Sequence, residues 1–159
     1  MKYLPLLLLL LIPDVNAKVN NQETECLALN VYHEARGESL AGQYAVADVV
    51  LNRLTDKRYP DTICGVVKEA QTWKGNPVRN KCQFSWYCDG KPDDATQTDA
   101  WMQAVEVAIS ILYYDKFRGI TEGATHYHTD YVNPNWNRHY RLVGTIGDHI
   151  FYINNGRDR

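Results

Sequence analysis

Apolar positions recur at three- and four-residue spacing through the first two thirds of the chain and then give way to alternation. Between residues 23 and 36, Cys26, Leu27, Leu29 and Val31 supply the contacts of a first helix, with Thr24 placed to cap it and Gly37 to end it. Residues 40 to 54 carry the clearest stripe: Ala45, Val46, Val49, Val50 and Leu54. Tyr59-Pro60-Asp61 marks a turn, and Ile63, Val66, Val67 and Ala70 continue as a short amphipathic helix to about Gln71. Periodicity then fades from Trp73 to Asp94, where Gly75, Pro77, Gly90 and Pro92 predict an ordered loop. A long helix opens at Thr98 and Asp99 and ends before Gly119; it is expected to form the backbone of the core. Beyond it, His126-Tyr127-His128 and Tyr131-Val132 look extended, and 141–145 and 149–153 flank Gly147-Asp148 as a hairpin. The expected class is α+β and mainly helical, a helical lobe followed by a small antiparallel part.

One residue breaks the first helical pattern. Leu27, Val31 and Glu34 stand at i, i+4 and i+7, so Glu34 points where the apolar residues point. A carboxylate held there is either paired, with Arg36 or another cation, or chemically used; burial raises its pKa and makes it a proton donor near neutral pH. Glu38 lies one turn further on, and on a continued helix the two Cβ atoms would be about 5 to 6 Å apart on one side. A glycosidase pair must flank the scissile bond, so Glu38 is a poor second catalytic carboxylate and a better supporting or substrate-binding group.

Length bounds the chain to one domain with a real core, since 159 residues are too few for two. A net charge of −2 gives no electrostatic case for nucleic acid or an anionic membrane surface. With 11 Tyr and 4 Trp against 3 Phe, the aromatic rings mostly carry polar edges, which suits either a core with polar tips at the surface or the binding of sugars.

The first seventeen residues have the form of a signal peptide: Lys2, the apolar run Leu4 to Ile12, and Val15-Asn16-Ala17 as cleavage site. The apolar run is short of the about 20 residues of a spanning helix. The expectation is therefore an exported domain over 18–159, periplasmic or extracellular and wall-associated, with no stable membrane insertion after cleavage. Export makes Cys26, Cys64, Cys82 and Cys88 legible as two disulfides, whose three connectivities the sequence leaves open. A zinc site is the weaker alternative. There is no C-x2-C pair, and His33-Glu34 begins an H-E-x-x-H pattern only to meet Gly37 where the second histidine belongs. No metal and no cofactor are expected.

Two other dense sets, Gln83-Phe84-Ser85-Trp86 and His126-Tyr127-His128-Thr129-Asp130-Tyr131, mix flat rings with hydrogen-bonding groups. Tyr127 and Tyr131, an even number of residues apart, would share one face of a strand and line a sugar path. Gln83, Phe84, Ser85, His126, Tyr127, His128 and Tyr131 join Glu38 as the expected substrate-binding residues.

These residues, with Cys26-Leu27-Ala28, Glu34-Ala35-Arg36-Gly37-Glu38, Gly42-Gln43, Ala45-Val46-Ala47, Leu51-Asn52-Arg53, Tyr59-Pro60, Cys64-Gly65-Val66-Val67, Cys82-Gln83-Phe84-Ser85, Cys88-Asp89-Gly90, Gly123 to His128 and Gly147 to Phe151, give the chain its likeness. It resembles the SleB-type cell wall hydrolases, which include spore cortex-lytic enzymes, over nearly all of 18–159. The resemblance implies a lysozyme-like, two-lobed peptidoglycan-cleaving domain in which Glu34 is catalytic. Some relatives depend on calcium, but no D-x-D-x-D-G loop is present here. The activity it implies is cleavage of the bond between N-acetylmuramic acid and N-acetylglucosamine, first as a lytic transglycosylase with Glu34 as acid and then base. The alternatives are hydrolysis by water, directed by a second group such as Glu38 or Asp130, and a secreted wall-binding module without turnover. The expected partner is the peptidoglycan glycan strand, met by a monomer.

Overall fold

The computed structural model describes residues 21–156; the expected signal peptide and its cleavage site lie outside the described residues. The element order is α1 (Asn21–Ala35), α2 (Leu40–Leu54), α3 (Ile63–Val67), β1 (Ala70–Trp73), β2 (Asn76–Cys82), a 3-10 turn (Ser85–Cys88), α4 (Thr98–Tyr114), β3 (His126–Thr129), a second 3-10 turn (Asn135–Arg138), β4 (Arg141–Ile146) and β5 (His149–Ile153). The fold is α+β, with two antiparallel sheets ordered β1-β2 and β3-β5-β4. No described helix is long and apolar enough to cross a membrane.

The centre of the molecule is α2, not the longer α4. Every residue from Gly42 to Arg53 is buried, the state of a helix covered on all sides. One flank joins the main core, where Tyr44, Ala47, Val50 and Leu51 meet Leu27, Ala28 and Val31 of α1, Val66 and Val67 of α3, and Val107, Ala108 and Ile111 of α4. The other flank, Ala45 and Val49, packs on Ala124 and Phe151 beneath the three-stranded sheet. A helix placed between two layers has no solvent face, so its apolar residues cannot be confined to one stripe. Of α4, by contrast, Ala104, Val107, Ala108 and Ile111 are buried, while Met102, Ile109 and Tyr113 face solvent.

Burying all of α2 also buries its polar residues, and these organise the following loop. Asp48 is fully buried and accepts hydrogen bonds from Arg118, the Gly119 N–H (2.8 Å), the Thr121 N–H (3.1 Å) and the Thr121 hydroxyl (2.5 Å). Asn52 adds donors to the Thr121 hydroxyl (3.0 Å) and the Ala124 carbonyl (2.9 Å). Successive turns satisfy much of the backbone of loop 115–125, and these side chains take up the Gly119 and Thr121 N–H groups and the Ala124 carbonyl that the turns leave over. They thereby set where β3 begins.

The stretch expected as loop from Trp73 contains a hairpin. Trp73 pairs with Asn76, and Lys74 and Gly75 between them both have positive φ, 50° and 82°. That is the geometry of a two-residue primed turn, here built on Lys-Gly in place of the commoner Asn-Gly. Both strands are exposed on nearly every residue, so no apolar alternation announces them. The short helix before it ends at Val67 rather than near Gln71 because Ala70 already belongs to β1. Thr24 lies within α1, buried, its hydroxyl 3.1 Å from that of Tyr113, and is not a cap. The disulfides are Cys26–Cys64, joining α1 to α3, and Cys82–Cys88, joining the end of β2 to the 3-10 turn. The predicted C-terminal hairpin is present, and β3 adds to its β5 side with Tyr127 opposite Phe151.

Candidate active site

The last turn of α1 carries Glu34 to a cleft between the helices and the three-stranded sheet. The cleft has a volume of ≈ 190 Å³ and is lined by Glu34, Arg53, Gln83, Phe84, His126, Tyr127 and Trp136. These residues come from α1, α2, the segment after β2, β3 and the second 3-10 turn, so only the complete fold assembles them.

Burial raises the Glu34 pKa, against the opposing pull of a hydrogen bond from Tyr127 and of the Arg53 charge. The Tyr127 hydroxyl donates to Glu34 Oε2 at 2.9 Å. The same burial, with Glu34 beside it, holds the Tyr127 pKa well above that of an ordinary phenol, so the hydroxyl keeps its proton. Its ring is fixed edge-on to His149 at 5.0 Å and against Phe151 at 5.6 Å. Glu34 thus has a donor in a set position, with the reach of an acid that must release and regain a proton.

Arg53 is buried and held from every side. Its Nε donates to the Thr125 carbonyl at 2.7 Å, its guanidinium lies 5.3 Å from the Tyr59 ring centre and 5.1 Å from that of Phe84, and with the Gln83 amide turned so that its oxygen faces Arg53, the terminal nitrogens donate to it at 3.0 and 3.1 Å. It joins α2 to the start of β3 and to the Gln83-Phe84 wall. His126 has its pKa lowered to about 4, chiefly by burial and further by Arg53 and Arg58, and is neutral at neutral pH. Its ring packs on Trp136 (5.3 Å) and Tyr140 (4.6 Å), giving the cleft an aromatic wall.

Of the residues expected from sequence, Glu34, Gln83, Phe84, His126 and Tyr127 line this cleft together. His128 lies on the same strand but turns its Nε2 to the Tyr152 hydroxyl at 3.1 Å. Ser85 is exposed at the start of the 3-10 turn and does not line the cleft. Tyr131 is corrected in its placement: β3 ends at Thr129, the chain turns, and the ring is 82% exposed, so strand alternation does not set it beside Tyr127.

Glu38 lies outside the cleft lining and is engaged elsewhere. Its Oε2 accepts the Asp148 N–H at 3.1 Å, and its Oε1 is 3.5 Å from Nδ1 of His149. Burial lowers the His149 pKa in spite of that neighbour. The carboxylate reaches the β4–β5 turn through space left by Gly147, where a Cβ would collide with Oε2 and where φ is +61°. Arg53 and Trp136 were not singled out by sequence reasoning. Arg53 stands in the apolar register of α2, at i+4 from Val49, a signal that gains weight only once the helix is covered on both sides; Trp136, in a non-periodic stretch of Asn and Pro, offered none. Among the described residues no three His, Cys, Asp or Glu side chains are grouped as metal ligands.

Comparison with known proteins bears on the family and the fold. The profile of the Cell Wall Hydrolase family matches residues 37–152. A spore cortex-lytic enzyme of Halalkalibacterium halodurans is 32% identical over 143 residues, 87% of this chain and 37% of that protein. Its counterpart from Bacillus subtilis is 46% identical over 50 residues, 31% of this chain and 16% of the relative. The chain therefore spans well under half the length of these curated relatives. Among solved structures, the catalytic domain of the germination-specific lytic transglycosylase SleB from Bacillus anthracis superposes with a TM-score of 0.61 at 30% identity, covering 86% of this chain and 98% of that one. The catalytic domain of the Bacillus cereus SleB protein gives a TM-score of 0.56 at 28% identity, covering 82% and 90%. By profile and by fold, the chain belongs to the Cell Wall Hydrolase family.

Proposed function

We propose that this protein cleaves peptidoglycan glycan strands between N-acetylmuramic acid and N-acetylglucosamine as a lytic transglycosylase, with Glu34 as acid and then base. The observation that carries the reading is that Glu34 is the one carboxylate among the residues lining the cleft. A mechanism that activates water with a second carboxylate needs a partner across the scissile bond. Of the expected alternatives, Glu38 has its carboxylate on the β4–β5 turn and Asp130 is exposed outside the cleft lining.

In the first step Glu34, whose pKa burial raises above that of an ordinary carboxylate, gives its proton to the leaving glycosidic oxygen. Glu34 becomes a carboxylate, and the Tyr127 hydrogen bond and the Arg53 charge stabilise that form. The cationic sugar ring that develops beside it is stabilised by the carboxylate and by the substrate's own acetamido group. Glu34 then takes the proton of the muramoyl 6-hydroxyl, and the oxygen closes a 1,6-anhydro ring on the anomeric carbon. Neutral His126 and Trp136 supply hydrogen-bonding and stacking surface without adding charge to the wall of the cleft.

Both disulfides fit an oxidising compartment, and the leader-like first seventeen residues support export to the periplasm or cell exterior. Mass spectrometry of the muropeptides released from purified peptidoglycan tests the reaction. Anhydro-muramic ends are expected; reducing muramic ends would establish hydrolysis instead, and no release at all would leave a binding module.

A further inference from the structure

The catalytic cleft, at ≈ 190 Å³, is smaller than the roughly 300 Å³ at which pockets for drug-sized ligands begin, so it engages only a short part of any polymer. A second cavity of ≈ 380 Å³ adjoins it. Gln83 lines both, and from there the second cavity runs along the base of the β1–β2 hairpin between Glu69, Ala70, Gln71, Lys81 and Cys82.

Three features of this region are not explained by folding. Glu69 lines this cavity, and among the described residues its Oε2 is buried with no hydrogen-bond donor, the Arg53 charge acting on the carboxylate without a hydrogen bond between them. A buried carboxylate oxygen left without a donor is costly unless something supplies one. Trp73, further along β1, is 72% exposed on a hairpin with hardly a buried residue. The hairpin also carries Lys74, Arg79 and Lys81 and no acidic residue between Ala70 and Cys82, in a chain of net charge −2. A two-stranded hairpin is marginal alone, and this one is tied down by the Cys82–Cys88 disulfide at its base.

We propose that the cavity at Glu69, Lys81 and Gln83, continued by the exposed Trp73 ring, is an accessory track for the glycan strand whose scissile bond lies at Glu34. This rests on the reading that the cleft takes peptidoglycan. Glu69 accepts a hydroxyl or acetamido N–H from a sugar beyond the cut. Trp73 stacks on the apolar face of a more distant ring. Lys81 and Lys74 pair with the carboxylates that lactyl groups and stem peptides hang from the strand. The track selects for polymer over fragments.

The test measures binding of glycan fragments of two, four, six and eight sugars, carrying stem peptides, to the full chain bearing Glu34→Gln, by titration calorimetry. Affinity should rise with length, and Trp73→Ala or Glu69→Ala should each remove about tenfold from the longest fragments while leaving the shortest unchanged. A length-independent affinity in the Glu34→Gln parent overturns the track, as does a full length gain retained by the Trp73→Ala, Glu69→Ala double variant. Trp73→Ala alone, at an exposed ring, keeps the test decisive if the Glu69 variants melt early. Failure of the intact protein to release muropeptides counts against the cleavage reading and not against the track, which the binding series judges by itself.

Discussion

Asp48→Ala should be among the most damaging single changes in the protein, although Asp48 lies outside the cleft lining. Asp48 has no exposure and accepts from four donors: Arg118, two backbone N–H groups and the Thr121 hydroxyl. Deleting it does not orphan all four equally. Gly119 is exposed and its N–H can turn to water, and the Thr121 hydroxyl can rotate. The Thr121 N–H is buried and has nowhere to go, at a cost of about 1 to 3 kcal/mol. Arg118 loses a charge-assisted bond, about 1.5 to 3 kcal/mol, discounted because its side chain is 28% exposed and keeps only Asn52 at 2.7 Å. The sum falls near the 3 to 5 kcal/mol typical of breaking a buried pair, against a typical total of about 5 to 15. Urea unfolding should therefore show a lower midpoint with little change in slope. Because these bonds fix loop 115–125, which delivers β3 and Tyr127, turnover per folded molecule should fall as well. A loss under about 1 kcal/mol would refute the reasoning, since it would mean that water or the loop itself replaces the carboxylate.

Glu34→Gln should lower muropeptide release by about 10²- to 10⁴-fold, as measured by product quantification. The same change should raise, not lower, stability at neutral pH. The folded pKa of Glu34 is raised, so the ionised form is disfavoured in the fold above the unfolded value; thermal melts of variant and wild type should diverge with rising pH through the carboxylate range and coincide in acid. Tyr127→Phe removes a donor that favours the ionised form, so the alkaline limb of the activity profile should move to higher pH; a limb that stays or moves down contradicts the assigned hydrogen bond. The disulfides should differ in weight. With separations of 38 and 6 residues, loop-closure entropy assigns about 4 kcal/mol to Cys26–Cys64 and about 2 to Cys82–Cys88, so the paired Cys→Ala variants should rank in that order by denaturant midpoint.

Sequence by itself determined what depends on local spacing. The helices at 21–35, 40–54 and 98–114 and the hairpin around Gly147-Asp148 follow from periodicity, because each buries a defined face or turns on residues suited to it. Glu34 was legible because a carboxylate in an apolar register is a local contradiction, and the aromatic sets at 83–86 and 126–131 because they are dense. What the sequence withheld depends on who packs against whom. The β1–β2 hairpin has no buried face and turns on Lys74-Gly75, so neither alternation nor a familiar turn pair betrays it. Whether Glu38 serves the substrate or the fold could not be read from its distance to Glu34 along the helix. What the fold adds is the turn at Gly147, arriving from 110 residues away to offer the Asp148 N–H to the Glu38 carboxylate. Arg53, Asp48 and Asn52 look like ordinary polar breaks in a helical stripe until α2 is covered on both sides. Burial then leaves each of them to find partners inside the protein, and those partners, in loop 115–125 and at Gln83, shape the cleft.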